Sequence, residues 1–195
     1  MDIILASGSE RRSSILSSCG IKHRVIRSRI KESMKGHWPR HVAIKNASLK
    51  AMDVAKRLKS GYVIGADTVV LLDRKMIGKP RNKSHARKML KEMSEKTVSV
   101  YTGLCVIDVE KGKMVTGCEC SDVRVKKIRP DEFHAYFKLL GPYDKAGGFS
   151  IEGVGSFIFD DIKGSYFNVL GLPTARLKDM FEKLGVSILE IIRER

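Results

Sequence analysis

Two carboxylates stand in unusual company in this chain. Asp67 interrupts the apolar run Tyr62-Val63-Ile64-Gly65-Ala66-Asp67-Thr68-Val69-Val70-Leu71-Leu72, and Glu32 sits among Arg27, Arg29, Lys31 and Lys35. A lone carboxylate in a buried strand is costly unless it is paired or holds a metal. The isolated basic residues Arg11, Arg12, Lys50 and Lys79 and a stretch with four glycines over 141–153 complete the set. Hard carboxylate oxygens suit Mg²⁺, which needs only one or two protein ligands beside phosphate oxygens. Arg and Lys neutralise charge that develops on a phosphate, and a carboxylate orients or deprotonates water. The chain has no Gly-x-Ser-x-Gly elbow. Metal-assisted hydrolysis or transfer at a phosphate is the reaction class these residue types allow. In their own contexts, however, Glu32 reads as a surface counter-charge and Lys50 as a lysine at the border of a helix stripe.

These residues need elements to position them. Residues 2–6 read as a first strand, and a helix runs from about Glu10 to Cys19 before Gly20. Ser7 and Glu10 are spaced as a capping box. Strand, glycine turn and helix start aim backbone N–H groups at an anion, with Arg11 and Arg12 on the first turn. The turn is not a Walker A loop. Residues 22–30 read as a second, basic strand. Pro39 opens a helix expected to reach Ser60, with Ala43, Ala47, Val54 and Leu58 inward. The central strand follows at 62–72, then a turn at Asp73-Arg74-Lys75 and the fixed segment Gly78-Lys79-Pro80. A helix over 83–95 buries Ala86, Met89, Leu90 and Met93. Strands over 97–109 and 114–128 form a hairpin through Glu110-Lys111-Gly112-Lys113. Pro130 starts another helix, and the glycine-rich stretch after it reads as a binding loop. A strand over 156–162, a turn at Gly164-Ser165-Tyr166, a helix over 174–184 and a short tail close the chain. Alternating strands and helices with a central hairpin indicate α/β with a mixed sheet.

Composition narrows the partners. The chain has 195 residues, is 43% hydrophobic and holds five prolines, which fits an ordered globule without a linker. No apolar run approaches the ~18 residues of a membrane span, and residues 1–8 lack the basic start of a signal peptide, so a cytoplasmic protein is expected. Cys19, Cys105, Cys118 and Cys120 form no zinc set and read as plain thiols. Net charge is +15, and residues 1–60 hold 14 Lys/Arg against 4 Asp/Glu. Such a balance suits a polyanionic partner. With one tryptophan and no aromatic residues interleaved among the basic ones, a specific nucleic-acid site is not indicated.

Five motifs occur in register: Leu5-Ala6-Ser7-Gly8-Ser9-Glu10-Arg11-Arg12, Gly65-Ala66-Asp67-Thr68, Gly78-Lys79-Pro80, Asp144-Lys145-Ala146-Gly147 and Gly171-Leu172-Pro173. Together they resemble the Maf family of nucleoside triphosphate pyrophosphatases over nearly the whole chain. The resemblance implies an enzyme dependent on a divalent metal, Mg²⁺ or Mn²⁺. It would cleave between the α and β phosphates of a nucleoside triphosphate, giving a monophosphate and pyrophosphate. It implies house-cleaning of the nucleotide pool, with a link to cell-division arrest. The implied fold is a single two-lobed α/β domain over 1–195, of Maf/ITPase type, with the cleft between its lobes, often as a homodimer.

Carried over residue by residue, the resemblance makes Asp67 the catalytic acid and metal ligand, with Glu32 as the second acidic ligand. Lys79 and Lys50 become the phosphate-facing lysines, and Ser7, Arg11 and Arg12 belong to the first loop. Arg11, Thr68 and Glu152 stand at places tied to base preference. Arg11 and Thr68 resemble the branch acting on dTTP and UTP. That branch typically has Gln where this chain has Glu152, whereas relatives acting on 7-methyl-GTP carry Glu. An amide donates and accepts, matching the mixed edge of uracil or thymine; an ionised carboxylate only accepts, which suits guanine. From other classes, a basic nucleic-acid-binding module would show affinity falling steeply with salt. A nucleotide-binding regulator would bind without releasing pyrophosphate.

Overall fold

The computed structural model describes residues 1–140, 143, 147–148 and 150–193. Its strands are β1 (Ile3–Leu5), β2 (Arg24–Val25), β3 (Tyr62–Leu72), β4 (Lys75–Ile77), β5 (Thr97–Asp108), β6 (Lys113–Val125) and β7 (Phe159–Lys163). The helices are α1 (Glu10–Ser18), α2 (Pro39–Ala55), α3 (Lys83–Met93), α4 (Pro130–Leu139), α5 (Tyr166–Val169), α6 (Thr174–Lys183) and α7 (Ile188–Arg193). All seven strands belong to one mixed sheet, ordered β2-β1-β3-β5-β6-β7, with β4 paired to the far end of β3. β1 runs parallel to both β2 and β3, as a strand–helix–strand start requires. The β3–β5–β6 ladder is antiparallel and long, pairing Tyr62 with Asp108 at one end and Leu71 with Ser99 at the other.

The expected hairpin is present, with Asp108 opposite Lys113. Gly112 adopts a left-handed conformation in its turn, and the Asp108 carboxylate accepts from the Lys111 N–H at 3.0 Å. A second hairpin joins β3 to β4 through Asp73 and Arg74 alone, with Leu72 opposite Lys75. Both turn residues have positive φ, 47° and 63°, the signature of a primed two-residue turn.

Apolar packing is divided between the two ends of the long strands. One cluster joins β1, α1 and the start of β3 to α6 and α7, around Leu5, Leu16, Ile64, Leu177 and Phe181. Another joins the end of β3 to α3, β5, β6 and α4, around Val70, Leu90, Val98, Val123 and Phe133. Ile151 packs against both. A third cluster packs α2 on the sheet around Ile4, Ala47 and Val63, so the mixed sheet is flanked by helices as expected.

Helix α2 lies across β3 and β5 at close range, and two glycines permit it. A Cβ on Gly65 would land on the carbonyl oxygen of Ala47 and 2.9 Å from the Ala51 Cβ. A Cβ on Gly103 would land on the Ala43–Ile44 peptide, one helical turn away. The small residues before Asp67 thus do admit a close neighbour, and that neighbour is a helix.

Several boundaries differ from the sequence reading. The second strand is two residues, not nine: after Ile26 donates to the Leu5 carbonyl at 3.1 Å, the chain leaves the sheet. Helix α2 stops at Ala55, ahead of a turn that ends with Gly61 in a positive-φ conformation. Residues 153–157 form a 3₁₀ helix rather than strand, so β7 begins only at Phe159. The expected turn at 164–166 opens the short helix α5, capped by Ser165 accepting from the Asn168 N–H. The expected tail contains α7, held by Ile188 in the first cluster. Ser7 and Glu10 form no capping box. Ser9 is the N-cap, without a side-chain cap bond, and Ser7 Oγ accepts from the Ser9 N–H instead.

Candidate active site

A cleft of about 890 Å³ opens where the first two apolar clusters meet. Its wall includes Ser7, Arg11, Arg12, Glu32, Lys50, Asp67, Thr68 and Lys79, so eight of the nine nominated residues line one space. The ninth, Glu152, reaches it through Arg11.

At its centre three charged groups converge. Lys50, one face of α2, is 6% exposed rather than at a helix border. Its Nζ donates to Asp67 Oδ1 at 2.6 Å, meets Glu32 Oε1 at 2.6 Å and donates to the Ala66 carbonyl at 3.2 Å. Asp67 is itself buried, in β3. Its other oxygen accepts from Asn46 Nδ2 at 2.8 Å. Asn46 also clasps the backbone of Ser33, donating to its carbonyl at 3.0 Å and accepting from its N–H at 3.1 Å. That clasp holds the chain next to Glu32. Asn46 has no counterpart among the residues nominated from sequence. The signal was present: Ala43, Asn46, Ala47 and Lys50 follow the helical spacing of a single face, and a polar residue within a buried stripe marks a pairing.

Burial works to raise the Glu32 carboxyl. The Lys50 hydrogen bond and charge, helped by Lys79 and Arg12, outweigh it and hold Glu32 below its ordinary 4.5. A depressed folded-state value stabilises the protein above the ordinary value and stops doing so as pH falls through the depressed one. Wild type is therefore expected to lose more thermal stability than Glu32→Gln between neutral pH and about pH 3. Parallel melting-temperature profiles would show that the contact contributes nothing in solution.

The first loop is tied down by Arg12, which is 9% exposed. Its guanidinium donates to the Gly171 carbonyl at 2.8 Å, Ser7 Oγ at 3.1 Å and Thr68 Oγ1 at 3.0 Å. Thr68 is further joined to Thr102, which donates to the Asn168 carbonyl. Arg11 points elsewhere. Its Nη2 donates to Ser150 Oγ at 2.8 Å, and its Nε pairs with Glu152 Oε2 at 2.8 Å. Lys79 is exposed on the cleft wall. The Gly78 carbonyl before it accepts from the Gly147 N–H at 3.1 Å. The rest of the Asp144-Lys145-Ala146-Gly147 motif lies outside the described residues.

The profile of the family described as Maf-like protein matches residues 2–184. The chain belongs to the Maf family. Curated Maf-type relatives named dTTP/UTP pyrophosphatase are similar to it along their length. The one from Clostridioides difficile (strain 630) is 39% identical, over 94% of this chain and 95% of the relative. The one from Methanosarcina barkeri (strain Fusaro / DSM 804) is 40% identical, over 96% of each. Among solved structures, the Staphylococcus aureus Ham1 protein aligns with 64% of this chain and 72% of its own, at 13% identity and a TM-score of 0.47.

The donor set of this Maf protein fits a hard divalent ion. Asp67 and Glu32 both reach one nitrogen, so their nearer oxygens lie no further apart than twice 2.6 Å. Among the described residues no group of three or more His, Cys, Asp or Glu could hold a metal by itself. A two-carboxylate site of this kind needs phosphate oxygens to complete an octahedron, which is Mg²⁺ behaviour. The four cysteines are free thiols away from this centre; burial pushes Cys105 and Cys118 up to about 11. No helix among the described residues is long and apolar enough to cross a membrane.

Proposed function

We propose that this protein is a nucleoside triphosphate pyrophosphatase, a hydrolase that takes dTTP and UTP to the monophosphate and pyrophosphate. The observation that carries the reading is the meeting of Asp67, Glu32 and Lys50 at one point of a basic cleft. Membership of a family whose relatives bear that activity in their names supports it. In the reaction, a water oxygen forms a bond to the α-phosphorus and the bridge from that phosphorus to the β-phosphate breaks, so pyrophosphate departs with its charge. Asp67 and Glu32 orient the water and accept its proton. Lys50 and Lys79 offset the charge gathering on the phosphates, and Arg12 fixes the loop that carries Ser7. Asp67 and Glu32 would hold a divalent ion, Mg²⁺ or Mn²⁺, whose contribution when bound is to neutralise phosphate charge.

The base reading turns on Glu152. Its Oε2 is already engaged by Arg11 and by Ser150 Oγ at 3.1 Å. A free carboxylate would offer only acceptors. The pair instead offers guanidinium N–H donors beside a carboxylate acceptor, the mixed character an amide supplies in the dTTP/UTP branch. This favours uracil and thymine over guanine. A panel of dTTP, UTP, CTP, GTP and 7-methyl-GTP with Mg²⁺ or Mn²⁺ tests it. Pyrophosphate, not orthophosphate, is expected from dTTP and UTP, with Glu152→Gln keeping that preference. Pyrophosphate from guanine nucleotides alone would overturn the base assignment, and none from any substrate would leave a nucleotide-binding regulator.

A further inference from the structure

We infer that Arg27, which neither the motifs nor the family places in the site, is the residue that grips the terminal phosphates. The inference rests on the pyrophosphatase reading. Of the arginines in the cleft, Arg12 donates to three protein oxygens and Arg11 is held by Ser150 and Glu152. Arg27 also lines the cleft, is exposed, and makes no side-chain hydrogen bond or ion pair among the described residues. A guanidinium left without an acceptor in a basic cleft is placed for an anion.

Its position is set by packing on the phosphate-binding turn. A Cβ on Gly8 would lie 3.1 Å from Arg27 Nε and 3.3 Å from its Cδ, so the arm lies flat over the turn because residue 8 has no side chain. The backbone under it is fixed as well: Ile26 N–H donates to the Leu5 carbonyl, and the Arg27 carbonyl accepts from Arg57 at 3.1 Å. Strand order assigns the end of the substrate. From the β2 edge inward come Arg27, then the Gly8 turn after β1, then Asp67 and Thr68 on β3. Of the base-preference residues, Thr68 lies on β3 beyond that turn, and Arg11 is directed to Ser150 and Glu152. A triphosphate with its base there and its α-phosphate at Asp67 extends over Gly8 toward Arg27. The leaving pyrophosphate thus has its own cation.

Isothermal titration of wild type, Arg27→Gln and Arg27→Lys with inorganic pyrophosphate and with UMP separates the ends of the substrate. Arg27→Gln is expected to weaken pyrophosphate binding about tenfold and raise KM for UTP, with UMP affinity unchanged and partial rescue by Arg27→Lys. Lys45→Gln, an exposed charge on α2 outside the cleft, should change neither. Unchanged pyrophosphate binding in Arg27→Gln, or an equal loss for UMP, would overturn the assignment while the enzyme reading stands. A wild type that releases no pyrophosphate would overturn both.

Discussion

Asp67→Asn is expected to lose roughly 10³-fold or more in kcat while remaining folded. The side chain keeps its volume, so packing in β3 is not disturbed. Its chemistry changes in two ways. One oxygen becomes an amide that must face either Asn46 Nδ2 or Lys50 Nζ, both donors. The negative charge that would take a proton and share a metal is gone. Lys50 keeps Glu32 within 2.6 Å, so it is not stranded, and the stability cost is limited to about 1–3 kcal/mol for the mismatched donor. Pyrophosphate release and the melting temperature, read on the same preparation, separate the two effects. Near-normal turnover in the variant would remove Asp67 from the chemistry.

The second large effect is expected at a residue with no side chain, Gly103, which stands opposite Asp67 in the β3–β5 ladder. Gly103→Ala adds a methyl where the Ala43–Ile44 peptide of α2 already lies. Backbone cannot step aside as a flexible side chain can, so the helix must shift along much of its length. Overpacking of this kind costs about 1–3 kcal/mol, and a collision with main chain belongs at the upper end. Because α2 carries Asn46 and Lys50, the shift also draws the centre of the site apart, and a displacement near 1 Å costs on the order of 10²-fold in rate. Gly117→Ala is the comparison on the same sheet: there a Cβ meets the arm of Arg176 and the Met180 sulfur at 3.3 Å, and both can yield. Loss of stability and rate together in Gly103→Ala, with Gly117→Ala mild, is the expected pattern. A Gly103→Ala protein that melts like wild type would mean that the helix does not sit this close.

The sequence carried the centre of this site unevenly, for physical reasons. Asp67 was legible because a carboxylate in a strand of β-branched and apolar residues has no cheap explanation. Glu32 and Lys50 were not legible from their surroundings: a glutamate among lysines and a lysine on an alanine-rich helix both describe ordinary surface. They become a site only when Gly65 and Gly103 let α2 settle on the sheet, and no local pattern encodes that approach. Arg27 was hidden in the same way, as one basic residue among many in the most positive part of the chain. The long ladder was readable from its alternation and its glycine turn. The second strand is shorter than its pattern suggests because the basic alternation runs on past Ile26, where the partner strand β1 has already ended. The helix over 188–193 was missed because six residues are too few to establish a period.

Arg12 has a consequence in time. Besides Ser7 and Thr68, its guanidinium reaches the carbonyl of Gly171, and the cluster around β1 is completed by side chains between Leu170 and Ile188. A chain emerging from the ribosome can form the antiparallel ladder early, since those strands are neighbours in sequence. Its opening strand can pair with β3 early, but Ile3 and Leu5 lack their α6 neighbours, and Arg12 its Gly171 acceptor, until more than 150 further residues have been made. The cleft wall that carries Ser7 and Arg12 is therefore completed only once Gly171 has been made, and a chain stopped before that residue leaves Arg12 without this acceptor.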